Sequence, residues 1–330
     1  MALENIVAGL RDSPYVKEKD LDNGISSFNF TRKAFWKSHW NSMTTKARGL
    51  FIDTENMRVK ARSYNKFFNL NEQRESELQN ILKTWEYPVT AYVKENGYLG
   101  ICSWNEDGTL FCASKSTTDG IYAERFKKIL LDTLGSKVEQ FSLRLKSENL
   151  SAVFEVIDPE YDTHIIEYKE PEVILLDLIY NEWEPGDLDF LNKSYEVLQI
   201  WGITFGLPIK QKAFEFWNAA ELESFINNAM SFGYKYNQNY IEGFVLEDID
   251  MRHVKIKTEY YNFWKSIRKV IPMIRKGLVL DSSKIDWYLH PETLSIIETI
   301  QKYATDYYNS YDKDISIIEI RKLWEDDFCN

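Results

Sequence analysis

Lys94 stands in the run Tyr92-Val93-Lys94-Glu95-Asn96-Gly97-Tyr98-Leu99-Gly100, where a strand-like segment from Val89 delivers one lysine ahead of Asn-Gly and a second apolar run. Asn-Gly between two such runs signals a hairpin, which predicts Lys94 at the rim of a sheet. Lys255 and Lys257 fall on one face of a strand over 253–257 by the period-2 rule. Two acids interrupt otherwise apolar strands: Glu155 within 151–157, and Glu242 near the start of 240–247. Ser114-Lys115-Ser116-Thr117-Thr118 is a small polar loop of the kind that hydrogen-bonds phosphate oxygens. Upstream, Arg48 opens a strand-like run, and Lys66 is packed with Phe67, Phe68 and several Asn. Taken singly, each of these is also what a solvated strand edge looks like.

The elements that must carry these residues are mostly strands, with a hairpin over 98–104 and 109–115 and a further apolar strand over 173–180. Helical spacing covers 76–85, 121–134 and 219–232. From Thr258 onward the pattern turns helical through Leu278, again over 291–307, and again over 315–324. That switch predicts two domains, 1–258 and 259–330. Over Thr31–Trp40, aromatic and basic residues interleave (Phe35, Trp36, Lys37, His39, Trp40). Such a run can stack on bases, but at this length it is more often an ordinary core-edge segment.

With 330 residues, 44% of them hydrophobic, the chain can bury a full core. Its net charge of −11 argues against a generally basic, nucleic-acid-coating surface. A local basic cleft remains compatible with it, and 32–66 and 252–276 are locally basic. Cys102, Cys112 and Cys329 lack metal-ligand spacing, and the odd count points to reduced thiols. His39, His164, His253 and His290 are scattered, which argues against zinc. Residues 1–11 lack a signal-peptide pattern, and no apolar run approaches the roughly 20 residues that span a bilayer. The expectation is a soluble, intracellular (cytoplasmic) protein with no membrane partner.

In chain order, Lys94-x-Asn-Gly, Ser114-Lys115, Phe154-Glu155, Glu242-Gly243-Phe244-Val245 and Lys255-Ile-Lys257 resemble the ordered motifs of the covalent nucleotidyltransferases, which are DNA ligases, RNA ligases and mRNA capping enzymes. Ala47-Arg48-Gly49 followed by Lys66-Phe67-Phe68-Asn69 narrows the resemblance to the RNA ligase branch that holds the phage RNA ligase and the ligase domain of fungal tRNA ligases. It covers about residues 45 to 260. The fold implied is α+β: an antiparallel-sheet nucleotidyltransferase (ATP-grasp-like ligase) domain followed by a small all-helical C-terminal domain. The activity implied is ATP-dependent sealing of RNA 5′-phosphate and 3′-hydroxyl ends, with broken tRNA as the leading substrate.

By the same resemblance Lys94 attacks the α-phosphate of ATP and carries AMP, while Lys255 and Lys257 stabilise charge on that phosphate. Arg48 and Lys66 contact the outer phosphates or the RNA 5′-phosphate, and Lys115 lies near the phosphates. Glu155 accepts from a ribose hydroxyl, and Glu242 holds water on Mg²⁺, with Mn²⁺ as the alternative ion. Phe68 stacks near the adenine or fills the core. A free lysine titrates near 10.4, so neighbouring cations are expected to lower the Lys94 pKa. Asn96 stands where the commonest form of the first motif has Asp; fungal tRNA ligases also carry Asn there. The basic run Lys255, Lys257, Lys265, Arg268, Lys269, Arg275 and Lys276 either grips RNA phosphates or is a solvated face. Nothing resembles a kinase or phosphodiesterase, so an end-healing kinase or phosphatase is expected as a separate partner. The alternatives are a non-catalytic RNA- or nucleotide-binding protein on the same fold, and a DNA ligase or capping enzyme. The intact charged set argues against the first. The absence of an OB-fold-like β segment after Lys257 argues against the second.

Overall fold

The computed structural model describes residues 2–21, 23–162, 164–184, 190–275, 292–311 and 315–328. His290, Cys329 and Lys276 lie outside the described residues, as do the side chains of Lys269 and Arg275. The strands in chain order are β1 (Val16–Asp20), β2 (Ile25–Phe30), β3 (Leu50–Asp53), β4 (Arg58–Arg62), β5 (Phe68–Asn69), β6 (Val89–Lys94) and β7 (Tyr98–Trp104). They continue with β8 (Leu110–Ala113), β9 (Leu150–Ile157), β10 (Glu172–Tyr180), β11 (Lys212–Phe216), β12 (Gly243–Glu247) and β13 (His253–Lys257). Three sheets result, ordered β1-β2-β3-β4, β10-β9-β7-β8 and β11-β6-β12-β13-β5. All of their pairings are antiparallel except β13 with β5.

Period-2 alternation sorts the third sheet into two faces. Val89, Ala91, Val93, Phe244, Leu246, Val254 and Ile256 point to an apolar core closed by helices Leu78–Thr84 and Ala219–Ala229. Tyr92 and Lys94, Val245 and Glu247, and Lys255 and Lys257 take the opposite face, where they line a cavity. In the second sheet, Ala152, Phe154 and Val156 of β9 pack with Phe126, Leu130, Phe141 and Trp201 of the covering helices. Glu155 is thereby turned to the other side, into the same cavity. Cys102 and Cys112 are register partners on β7 and β8 with sulfurs 3.9 Å apart, so both are reduced thiols.

The predicted Lys94–Tyr98 hairpin does not form. β6 and β7 belong to different sheets, and Glu95-Asn96-Gly97 carries the chain across the cleft between them. Neither Asn96 nor Gly97 has the positive φ that a tight type I′ turn requires. The glycine is needed for close approach instead, because a Cβ at Gly97 would overlap the Val156 carbonyl oxygen. The hairpin over 98–113, by contrast, forms around its Asn-Glu-Asp-Gly turn.

After β13 come helices Glu259–Arg275, Glu292–Tyr311 and Ile317–Phe328. Tyr260, Trp264, Ile267, Ile300, Ala304 and Ile320 form their shared core, joined by Ile165 and Ile166 from the loop between β9 and β10.

Phe244 is fully buried and packs its ring against Phe214, Phe225, Tyr234 and Tyr236. Phe244→Ala is expected to cost about 3–5 kcal/mol of stability. Chemical denaturation would register this as a lower midpoint with an unchanged slope.

Candidate active site

Three cross-strand rows build the site. Lys94 of β6 pairs with Gly243 of β12, which pairs with Lys257 of β13. One row on, Tyr92, Val245 and Lys255 are aligned, and beyond them Thr90, Glu247 and His253. Gly243 fits between the two lysine positions because a Cβ there would overlap the Ile256 carbonyl oxygen. Glu242, just ahead of β12, is buried and bridges the two lysines, with Oε1 3.1 Å from Lys94 Nζ and 2.8 Å from Lys257 Nζ.

These neighbours set the protonation states. Burial raises the Glu242 pKa, but Lys94 and Lys257 outweigh it and hold the carboxylate below its ordinary value. Burial lowers the Lys94 pKa, but Glu242 and Glu155 outweigh it and hold the ammonium above the ordinary lysine value. The expected lowering of Lys94 by neighbouring cations is therefore reversed: two buried carboxylates face it, and Arg48 only partly opposes them. Lys255 has the contrasting environment. Its Nζ donates to the Phe67 carbonyl at 3.1 Å and lies 4.3 Å from the Phe67 ring centroid. Burial, then Arg48, Lys66, Lys94 and Lys257, hold its pKa well below the ordinary value. Glu155 accepts from the Gly97 N–H at 2.7 Å, and its pKa is raised by burial and by the Glu242 charge.

The cavity enclosed is about 570 Å³, and among the described residues eight Lys/Arg side chains line it against six carboxylates. A local cationic cleft thus exists inside an acidic protein. Arg48 donates to Ser63 Oγ at 3.1 Å, and Lys66 pairs with Glu72 at 3.4 Å; both reach the cavity wall. Lys265 and Arg268 contribute to the wall from the first C-terminal helix. Two expected residues do not line it. Phe68 is buried under the Lys66 ammonium, 3.7 Å from its ring centroid, and its place on the wall is taken by Phe67. Alternation decides this: β5 is only Phe68–Asn69, and Phe67 just ahead of it and Asn69 line the cavity while Phe68 between them faces away. Lys115 lies over the Phe30 ring at 4.7 Å, outside the cavity lining.

Sequence reading also missed a second polar cluster in the cavity wall. Lys210 Nζ lies 3.1 Å from Glu247 and 3.6 Å from Asp177, and His253 Nε2 contacts the same Glu247 oxygen at 2.8 Å. His253 was within reach of the period-2 rule, being two residues before Lys255 on the same face. Lys210 comes from an irregular connection that carries no periodic signal.

Asn96 has a role its sequence neighbours did not reveal. Its Oδ1 accepts from the N–H groups of Ile165 at 2.7 Å and Ile166 at 3.2 Å. Its own N–H donates to the Tyr168 hydroxyl at 2.7 Å, which in turn donates to Glu95 at 2.9 Å. An acceptor oxygen, not a charge, is what the position requires.

Among the described residues no cluster of three or more His, Cys, Asp or Glu side chains could hold a metal ion. Glu155 and Glu242 are nevertheless hard oxygen donors, the type Mg²⁺ and Mn²⁺ take, and such an ion normally keeps several waters and binds with phosphates.

Comparison with known proteins decides the family. An RNA ligase family profile matches residues 46–261. The chain belongs to the RNA ligase family. It is 24% identical over 319 residues to a tRNA ligase of Candida albicans, covering 84% of this chain and 37% of that protein. To tRNA ligase 1 of Schizosaccharomyces pombe it is 28% identical over 225 residues, covering 63% of this chain and 27% of that protein. The chain thus spans about a third of the length of the curated relatives it matches. An archaeal ATP-dependent RNA ligase shares the fold with a TM-score of 0.54 at 14% identity, over 88% of this chain and 73% of that one.

Two outcomes follow from the site's geometry. Asn96→Ala leaves two buried N–H donors unpaired and is expected to cost about 1–3 kcal/mol of stability, whereas Asn96→Asp keeps the acceptor and most of the stability. Thermal melting of the two variants separates these cases. Glu242→Gln removes the main counter-charge, so the pH dependence of Lys94 labelling by a small acylating reagent should move to lower pH. An unmoved profile would show that Glu242 does not hold the Lys94 proton.

Proposed function

We propose that the protein is an ATP-dependent RNA ligase that seals 5′-phosphate and 3′-hydroxyl RNA ends through Lys94. The observation that carries this reading is the sharing of buried Glu242 by Lys94 and Lys257 inside a cationic cavity that Arg48, Lys66 and Lys255 also line. The Lys94 nitrogen attacks the α-phosphorus of ATP. A P–N bond forms, the bond from the α-phosphorus to the bridging oxygen breaks, and pyrophosphate leaves. An oxygen of the RNA 5′-phosphate then attacks the same phosphorus, the P–N bond breaks, and Lys94 regains its proton. Finally the 3′-hydroxyl attacks the activated 5′-phosphate, forming the phosphodiester and releasing AMP.

In this scheme Lys94 rests protonated against Glu242 and has to give up that proton before it can attack. Lys257 and Lys255 flank the α-phosphate and stabilise the charge developing there. Arg48 and Lys66 bind the outer phosphates first and the RNA 5′-phosphate afterwards; Glu155 accepts from the ribose. Lys115 supports the phosphate side from behind, through its charge rather than by contact. Glu242 would hold water on Mg²⁺ or Mn²⁺, which when bound would neutralise phosphate charge. The helices Glu259–Arg275, Glu292–Tyr311 and Ile317–Phe328 make up the region that meets RNA, with Lys265 and Arg268 on the cavity wall. The matched relatives are named tRNA ligases, which supports broken tRNA as the substrate. No described helix is long and apolar enough to cross a membrane.

Incubation with α-labelled ATP and Mg²⁺, followed by denaturing electrophoresis, tests the first step. The expected result is a covalent label that pyrophosphate reverses and that Lys94→Ala abolishes. An unlabelled wild-type chain, after pyrophosphate treatment to strip bound AMP, would sink the proposal.

A further inference from the structure

The segment Thr31–Trp40 is a core edge only in part: Ala34 is buried and Trp40 packs on Phe30 and Phe68, while Phe35 and Trp36 stand exposed. Thr31 caps a short helix over Arg32–Trp36 by accepting from the Ala34 N–H. Trp40 then folds back beneath it, edge-on to Phe30 at 5.1 Å, to Phe35 at 6.4 Å and to Phe68 at 5.3 Å. His39 stacks on Tyr15 at 3.9 Å, and Lys33 covers the other ring contact of Tyr15 at 5.3 Å. These contacts fix the segment from below and leave its top bare. Trp36 is 77% exposed and Phe35 is 51% exposed, yet Phe35 also lines the catalytic cavity beside Arg48 and Lys66. Arg32, Lys33 and Lys37 lie on the same segment, and Lys66 sits over the Trp40 ring at 5.2 Å.

A bare indole on a helix next to a residue of a cationic cavity wall, with Arg32, Lys33 and Lys37 on the same segment, is a platform for an unpaired base. We propose that Trp36, with Phe35 as the step into the cavity, stacks the bases of the single-stranded RNA end whose phosphate enters the site. The occupant is single-stranded nucleic acid rather than a protein, because the ridge is cationic and continuous with the cationic cavity. The inference rests on the RNA ligase reading for the identity of the strand. Trp36 is a positioning residue: it orients the RNA end without touching the reacting atoms.

The test is fluorescence anisotropy with a labelled, 5′-phosphorylated single-stranded RNA, run without ATP on the full chain, for wild type, Trp36→Ala and Trp36→Phe. One lost stack of about 1–3 kcal/mol raises Kd roughly 5- to 150-fold. Trp36→Ala should weaken RNA binding within that range, Trp36→Phe should restore most of it, and all three should form lysyl-AMP at the same rate. Cross-linking of a 5-bromouridine RNA to the wild type should place an adduct within 32–40. Unchanged Kd in Trp36→Ala, or adducts only elsewhere, would overturn the platform. Loss of lysyl-AMP formation in Trp36→Ala would also overturn it, by giving Trp36 to the nucleotide site. A wild type that binds RNA but forms no lysyl-AMP fails the ligase reading alone, and the Kd comparison still decides the platform.

Discussion

A single buried carboxylate, Glu242, sits between two ammonium groups, and the site's organisation depends on that arrangement. Taking an ion out of water costs several kcal/mol, so three charges survive at this depth only while each neutralises its neighbours. The sheet dictates the spacing: Lys94 and Lys257 flank Gly243 on adjoining strands, and no side chain at 243 separates them. Glu242 titrates below its ordinary value, so its contribution to stability is present above the unfolded glutamate pKa and fades as pH falls through the folded one. Lys94 titrates above its ordinary value, so its contribution is present below the unfolded lysine pKa and fades as pH rises through the folded one. The bridge is therefore intact across neutral pH, with Lys94 held as an ammonium against Glu242.

The second constraint is the crossing from one sheet to the other through Glu95-Asn96-Gly97. A tight turn would have kept both strands in one sheet and left no cleft. Instead the crossing is held from outside, by Tyr168, by the backbone of Ile165 and Ile166, and by Glu155 on the neighbouring sheet. Ile165 and Ile166 are also part of the helical core after residue 258, and Arg321 donates to the Ile165 carbonyl. The Lys94 strand end and the C-terminal helices thus share one anchor, Ile165 and Ile166.

This arrangement explains what could be read in advance. Period-2 alternation is a local property, so the common face of Lys255 and Lys257 and the inward turn of Glu155 were legible from a few residues each. The Asn-Gly signal misled because tertiary hydrogen bonds outweigh turn propensity where the flanking strands have better partners in separate sheets. Phe67 and Phe68 could not be told apart, since a two-residue strand gives parity no run in which to show itself. The sign of the Lys94 shift was out of reach for a different reason: it depends on Glu155 and Glu242, both remote from Lys94 in the chain, lying closer in effect than the cations do.

Charge distribution ties these features together. The chain as a whole is acidic, with a net charge of −11, whereas the cavity wall has more cations than carboxylates. At physiological ionic strength the field of exposed charge is screened beyond roughly 8 Å, so the acidic exterior does little to oppose a polyanion already at the mouth. Inside, where screening is weak, Lys66 and Lys94 are tied to carboxylates, while Lys255 donates to the Phe67 carbonyl and sits over the Phe67 ring. Lys255, one row along the sheet from Lys94, has no carboxylate partner among the described residues. The strand register thus sets Lys94 and Lys255 on neighbouring rows of one sheet face.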